Sequence, residues 1–155
     1  MKDHQFLNKI AEFLLEANEH GYAAYVRDTK EPDNSHTIEY SSGDWRYHDN
    51  YFGGEPYGGR EAVFFKGKPV YMMVYYGSVN QNIGTHKVYP FLRKALLIRQ
   101  KENPYRGPKL FEEGNLRYVN DWVGEVDNFN GEERIFDGDS CIYSAKYMGG
   151  LVDQR

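Results

Sequence analysis

Three carboxylates fall on strand-like segments crowded with aromatic rings. They are Asp49 in DWRYHDNYF, Glu61 in REAVFF and Glu133 in EERIF. Side chains two apart along a strand share a face, so Trp45, Tyr47, Asp49 and Tyr51 line up together. Leu116, Tyr118, Asn120 and Trp122 do the same in LRYVNDWV, while Glu61 shares a face with Val63 and Glu133 with Ile135. A carboxylate on such a face is costly to bury unless it is paired or hydrogen-bonded. It can lie at a strand end in water, pair with Arg46, Arg60, Arg117 or Arg134, or meet a ligand. Aromatic faces attract cations and carboxylates carry the opposite charge. The chemistry expected is therefore capture of a cationic or polyhydroxylated small molecule. Tyr47, Tyr51 and Trp122 would supply stacking area, and Asp49, Glu61 and Glu133 charge or hydrogen bonds. Arg106, in NPYRGP, can grip a carboxylate or phosphate in two places. Two carboxylates in one cleft could also divide acid and base duties if their environments pushed their pKa values apart.

Other chemistries find little support. His48 and Asp49 are adjacent on one strand and point to opposite faces, and the five His residues show no metal-ligand spacing. His36 and Glu39 read as part of a solvated loop. VDNFNG has some residues of a calcium loop but lacks its first acid, so a turn is expected. YFGGEPYGG lacks the Lys-Ser/Thr and the following helix of a phosphate loop. The lone Cys141 cannot form an internal disulfide and reads as a small buried residue. No metal and no cofactor is expected.

These residues must be held by something, and the chain is long enough to bury a core of its own. It has 155 residues, 14 of them Tyr and 9 Phe, and a formal net charge of -4. No basic run gives a nucleic-acid footprint, and no stretch approaches the roughly 20 apolar residues of a membrane helix. The expectation is a cytoplasmic protein with no direct nucleic-acid or membrane partner.

Asp3 can cap a helix carrying Phe6, Leu7, Ile10, Phe13, Leu14 and Ala17 on one face, with Gly21 as its stop. YAAYV reads as a short strand and RDTKEPDNSH as a loop. TIEYSSG and DWRYHDNYF read as a strand pair, and REAVFF with VYMMVYYG as a hairpin turned at Gly67. A second helix is predicted in PFLRKALLIRQ, with Pro90 in its first turn. LRYVNDWV, then a hairpin turned by Asp137-Gly138, complete the order, and the closing VDQR reads as a frayed tail.

GDWRYHDNYFGG from Gly43 and GNLRYVNDWVGE from Gly114 follow the same pattern. Arg46 matches Arg117, Tyr47 matches Tyr118, Glu61 matches Glu133 and Tyr75 matches Tyr147. The fold class expected is α+β: a single domain over 1–155 made of two pseudo-symmetric helix-plus-antiparallel-meander repeats, about 3–79 and 86–152. The cleft is placed between the repeats. The outer face of Val70, Met72, Val74 and Tyr76 is apolar where Ile142, Ser144, Lys146 and Met148 are mixed, which suggests a partner or ligand there.

The blocks EYSSGDWRYHDNYFGGEPYGGREAVFFKGKPVYMMVYYG, NPYRGP and NGEERIF…YMGG resemble an uncharacterised bacterial family classed only as a domain of unknown function. Its shared blocks contain Tyr47, Gly53, Glu61, Tyr75, Tyr76, Gly77, Arg106, Gly107, Pro108 and Glu133. Members stand alone or follow a helix-turn-helix in regulators, which implies a sensing domain. The functional expectation is a non-catalytic effector-binding domain. A protein-interaction module or homodimer, and a small hydrolase or isomerase using paired carboxylates, are the alternatives.

Overall fold

The computed structural model describes residues 3–153. Helix α1 (His4–Asn18) starts where expected, because the Asp3 carboxylate accepts from the amides of Gln5 at 3.1 Å and Phe6 at 3.2 Å. Its buried stripe is Leu7, Ile10, Ala11, Phe13, Leu14 and Ala17. The chain then forms one turn of 3-10 helix (Tyr22–Ala24), with Tyr25 in the left-handed region at φ 56°. A strand was expected here. Ala23 is buried and the guanidinium of Arg93 lies over the rings of Tyr22 and Tyr25, so tertiary packing overrides the local strand preference of the tyrosines.

Strands β1 (Thr29–Lys30), β2 (His36–Ser42), β3 (Trp45–Phe52), β4 (Tyr57–Phe65) and β5 (Lys68–Val79) run back and forth. Helix α2 (Thr85–Leu97) follows, then β6 (Leu110–Glu113), β7 (Leu116–Glu125), β8 (Asn128–Asp137) and β9 (Ser140–Leu151). Helix α2 begins five residues before Pro90. The ring sits in the second turn rather than the first, on the exposed side, where water can serve the His86 carbonyl that lacks a donor. Strand β6 and the two-residue β1 were not foreseen.

All nine strands of the described residues join in one antiparallel sheet, ordered β1-β2-β3-β4-β5-β9-β8-β7-β6. This corrects the α+β expectation of two helix-plus-meander units. The protein is one continuous, mostly β sheet with two helices. Two separate meanders would each leave a 12-residue strand with an unpaired edge. Instead β5 and β9 pair along nine positions, from Tyr71↔Leu151 to Val79↔Tyr143, and satisfy each other's backbone groups. At the middle of this seam Tyr75 stands opposite Tyr147.

Both helices lie on the face that bears these two tyrosines. Helix α1 packs on Tyr47, Val63, Tyr71 and Met73, while α2 packs on Tyr118, Ile135, Tyr143 and Ala145. The alternation read from the sequence is the alternation of burial. Tyr71, Met73, Tyr143 and Ile135 are buried, whereas Val74, Tyr76 and Met148 are exposed on the other face. Of the closing VDQR, Gln154 and Arg155 lie outside the described residues, and the Val152 amide is tied to the Val70 carbonyl at 3.1 Å.

Candidate functional site

The inner face of the sheet carries two acid nests, one on each side of the seam. In the β7–β8 half, Asn120 and Glu133 are cross-strand partners. Glu133 is fully buried and fully served. Arg106 donates from Nε to Oε2 at 3.1 Å and from Nη2 to Oε1. Tyr118 adds a bond at 2.5 Å and Tyr143 one at 2.9 Å. Burial alone would raise the Glu133 carboxyl. The charge of Arg106 and the bonds from Arg106, Tyr118 and Tyr143 overcome it and hold the group below its ordinary range. Tyr147 reaches Asn120 Oδ1 at 2.6 Å, and Asn120 donates to the Gly107 carbonyl at 2.9 Å.

In the β3–β4 half, Asp49 and Glu61 are cross-strand partners in the same way. Tyr75 donates to Asp49 Oδ1 at 2.5 Å, as Tyr147 does to Asn120. Each of these tyrosines crosses a glycine to reach its partner. A Cβ on Gly59 would lie 2.7 Å from the Tyr75 hydroxyl, and one on Gly131 would meet that of Tyr147. No guanidinium among the described residues bonds to either acid of this nest. Glu61 is 3% exposed, its Oε2 has no hydrogen-bond partner, and the buried hydroxyl of Tyr71 has none either.

The open nest faces a cavity of about 510 Å³. Strands β3 to β5 supply its floor through Tyr47, Asp49, Tyr51, Tyr57, Glu61 and Tyr75. The end of α1, the β1–β2 turn, the start of β2, α2 and the segment after it supply the walls, including His36, Arg93, Arg99 and Arg106. The cavity floor lies in the β3–β5 half of the sheet, and its lining joins residues 18–75 of the first expected repeat to Tyr89, Arg93, Leu96, Arg99 and Arg106 of the second. Burial first, and then the charge of Glu61, push Asp49 up to about 7. Near neutrality that carboxyl can give or take a proton beside a second carboxylate, as an acid–base pair requires. At the rim, Tyr51 donates to Asp28, His36 Nδ1 lies 3.4 Å from Asp28, and the rings of His36 and Tyr51 stack at 5.4 Å.

Of the residues singled out in the sequence, Tyr47, Asp49, Tyr51, Glu61 and Arg106 line this one cavity. Glu133 does not, since it is the buried partner of Arg106. Trp122 does not either. It packs against the cluster of Tyr105, Phe129 and Tyr147, with the Lys109 ammonium 5.2 Å from its ring centroid. Arg93, Arg99 and His36 were missed as lining residues. The two arginines belong to α2 and the segment after it, and the only trace in the sequence is a cation beside the apolar stripe in FLRKALLIR. Among the described residues no group of three or more His, Cys, Asp or Glu side chains could hold a metal ion. No described helix is long and apolar enough to cross a membrane.

A family model described as a domain of unknown function (DUF5680) matches residues 49–152, from Asp49 through the end of the sheet. No curated protein and no solved structure matches the chain.

Proposed function

The chain belongs to the DUF5680 family, and we propose that it is a binding domain for a small polar or cationic metabolite, held in the cavity over β3, β4 and β5. One observation carries the reading. Glu61 keeps a buried, unpartnered carboxylate oxygen at a cavity of about 510 Å³, a volume in the range of small-molecule sites. An unserved buried acceptor costs about 1–3 kcal/mol, and a ligand that donates to it would recover that penalty on binding. Tyr47, Tyr57 and Tyr75 offer ring area around the acid, and Arg93 and Arg99 a second polar region. The reading extends to a cytoplasmic effector-sensing role, alone or joined to a helix-turn-helix as the family resemblance implies.

A thermal-shift screen against a metabolite and cation library tests it. At a hundredfold excess over Kd a ligand adds about 2.7 kcal/mol. For a domain of this size that raises Tm by roughly 5–10 °C. The shift is expected to vanish in Glu61→Gln. A library that moves neither protein, or one that moves both equally, removes the reading.

A second reading rests on the outer face. Val74 and Met148 are register partners across the seam, exposed by 40% and 60%, and Tyr76 beside them is exposed by 61%. This apolar strip suits a protein partner or a second copy of the chain.

A further inference from the structure

The closed nest is a worked example of what the open one lacks. Aligning the cross-strand pairs Asp49↔Glu61 and Asn120↔Glu133 puts Tyr47 where Tyr118 stands and Tyr71 where Tyr143 stands. The neighbouring strands keep the same register, since Glu39 pairs with His48 and Leu110 with Val119. Arg106 precedes Leu110 by four residues, and the residue that precedes Glu39 by four is Ser35. Its hydroxyl is spent on Asp33 at 2.6 Å and on Asn50 at 2.9 Å. In one half a guanidinium fork meets the glutamate; in the other the described residues supply no fork, and Glu61 Oε2 and the Tyr71 hydroxyl are left over.

The cations of the cavity wall do not fill the gap. No ion pair among the described residues joins Arg93 or Arg99 to any carboxylate, and Nε of each is buried without an acceptor. Arg93 lies over Tyr22 and Tyr25 at 4.2 and 4.1 Å from the ring centroids, and Arg99 donates to the Pro104 carbonyl at 3.3 Å. The cavity is therefore lined by a carboxylate without an ion-pair partner on its floor, Glu61, and by two guanidinium groups without one on its wall, Arg93 and Arg99. A simple cation would satisfy the first and be repelled by the second, and a simple anion the reverse.

We propose that the ligand is a small guanidino acid. Its guanidinium takes at Glu61 the place that Arg106 takes at Glu133, and its carboxylate meets Arg93 and Arg99. A planar fork matches the two oxygens of a carboxylate better than a round ammonium does. The rings of Tyr47 and Tyr75 flank the group, as Tyr75 flanks the Arg106 guanidinium at 5.8 Å. This inference rests on the binding function proposed above.

Titration calorimetry of the full chain tests it with matched probes: guanidino acids of graded chain length, their ureido counterparts (same shape, no charge), the corresponding amino acids, and alkylguanidinium ions without a carboxylate. The best guanidino acid is expected to bind at least tenfold tighter than its ureido counterpart and at least tenfold tighter than the alkylguanidinium. Glu61→Gln should erase the first preference and Arg99→Met the second. Circular dichroism checks that both variants fold, and Asp49→Asn is the substitute if Glu61→Gln does not. A ureido acid that binds as well, or a preference that survives in Glu61→Gln, overturns the guanidino class. Metabolites from the library that still compete for the cavity would then leave the binding function standing. Silence of every probe and of the whole library removes both.

Discussion

Glu133 and Glu61 occupy matching places on one sheet and live in opposite conditions. Both are buried on the inner face, both have a polar cross-strand partner, and both are surrounded by tyrosines. Glu133 has a counter-ion and every oxygen served, whereas Glu61 has a cavity and an oxygen left over. The difference shows how much a single side chain decides. Arg106 turns one buried acid into a strut, and the matching acid, with no such partner among the described residues, is left facing the cavity.

The comparison breaks most visibly at the strut. Arg106→Met strands the Glu133 charge in the core and is expected to cost about 3–5 kcal/mol by urea unfolding. Adding Glu133→Leu to that variant should restore much of the loss, because the stranded charge is then gone. A double variant no more stable than the single one would mean that Arg106 acts through packing alone.

The pH response separates the halves next. Asp49 sits at about 7 in the folded protein against an ordinary value of 3.8, with burial the first cause and Glu61 the second. Between these values the folded state holds a proton that the unfolded chain has released. Stability therefore falls as pH rises from about 4 to about 7, by at most about 1.4 kcal/mol per unit, and is flat above. Asp49→Asn should flatten that slope. Glu133 has the opposite sign. Its carboxyl is held low, so its contribution is present above about 4.5 and is lost as pH falls below that value. Chemical denaturation at stepped pH reads both windows, and an unchanged slope in Asp49→Asn would refute the assignment.

Glu61→Gln sharpens the contrast at smaller scale. It alters a buried carboxyl group that has no ion-pair or hydrogen-bond partner among the described residues, so stability should stay within about 1 kcal/mol of wild type or rise. Glu133→Gln should instead destabilise by about 3 kcal/mol or more, because it leaves Arg106 unpaired. Equal losses in the two variants would erase the distinction. The smallest effect is expected on the outer face. Tyr76→Lys should change stability by less than about 0.5 kcal/mol. Light scattering at high concentration decides whether it changes the association state, and a strict monomer in both proteins discards self-association.

Much of this arrangement was legible in the residues, because alternation along a strand is a local property. Tyr47, Asp49, Glu61, Tyr71, Tyr118, Glu133 and Tyr143 were assignable to one buried face, and the Asp3 cap and the turns at Gly67 and Gly138 follow from short-range rules. What failed depended on partners distant in sequence. The pairing of β5 with β9 joins Tyr75 to Tyr147, 72 residues away, and no pattern within either strand names the other. Arg106 reaches Glu133 across 27 residues, so the two glutamates looked alike on paper. The Tyr22 turn is set by Arg93 of α2. Trp122 was placed in the cleft for its ring and its matching position, yet it does not line the cavity and packs instead against the core cluster that includes Phe129 and Tyr105.

The rims of the sheet carry a consequence for assembly. The outermost strands are β1, with two residues, and β6, with four, so little backbone is offered for a neighbour to add a strand. Growth by stitching sheets side by side is therefore disfavoured at both rims, and contact between copies would fall to the broad outer side, where Val74, Tyr76 and Met148 are exposed.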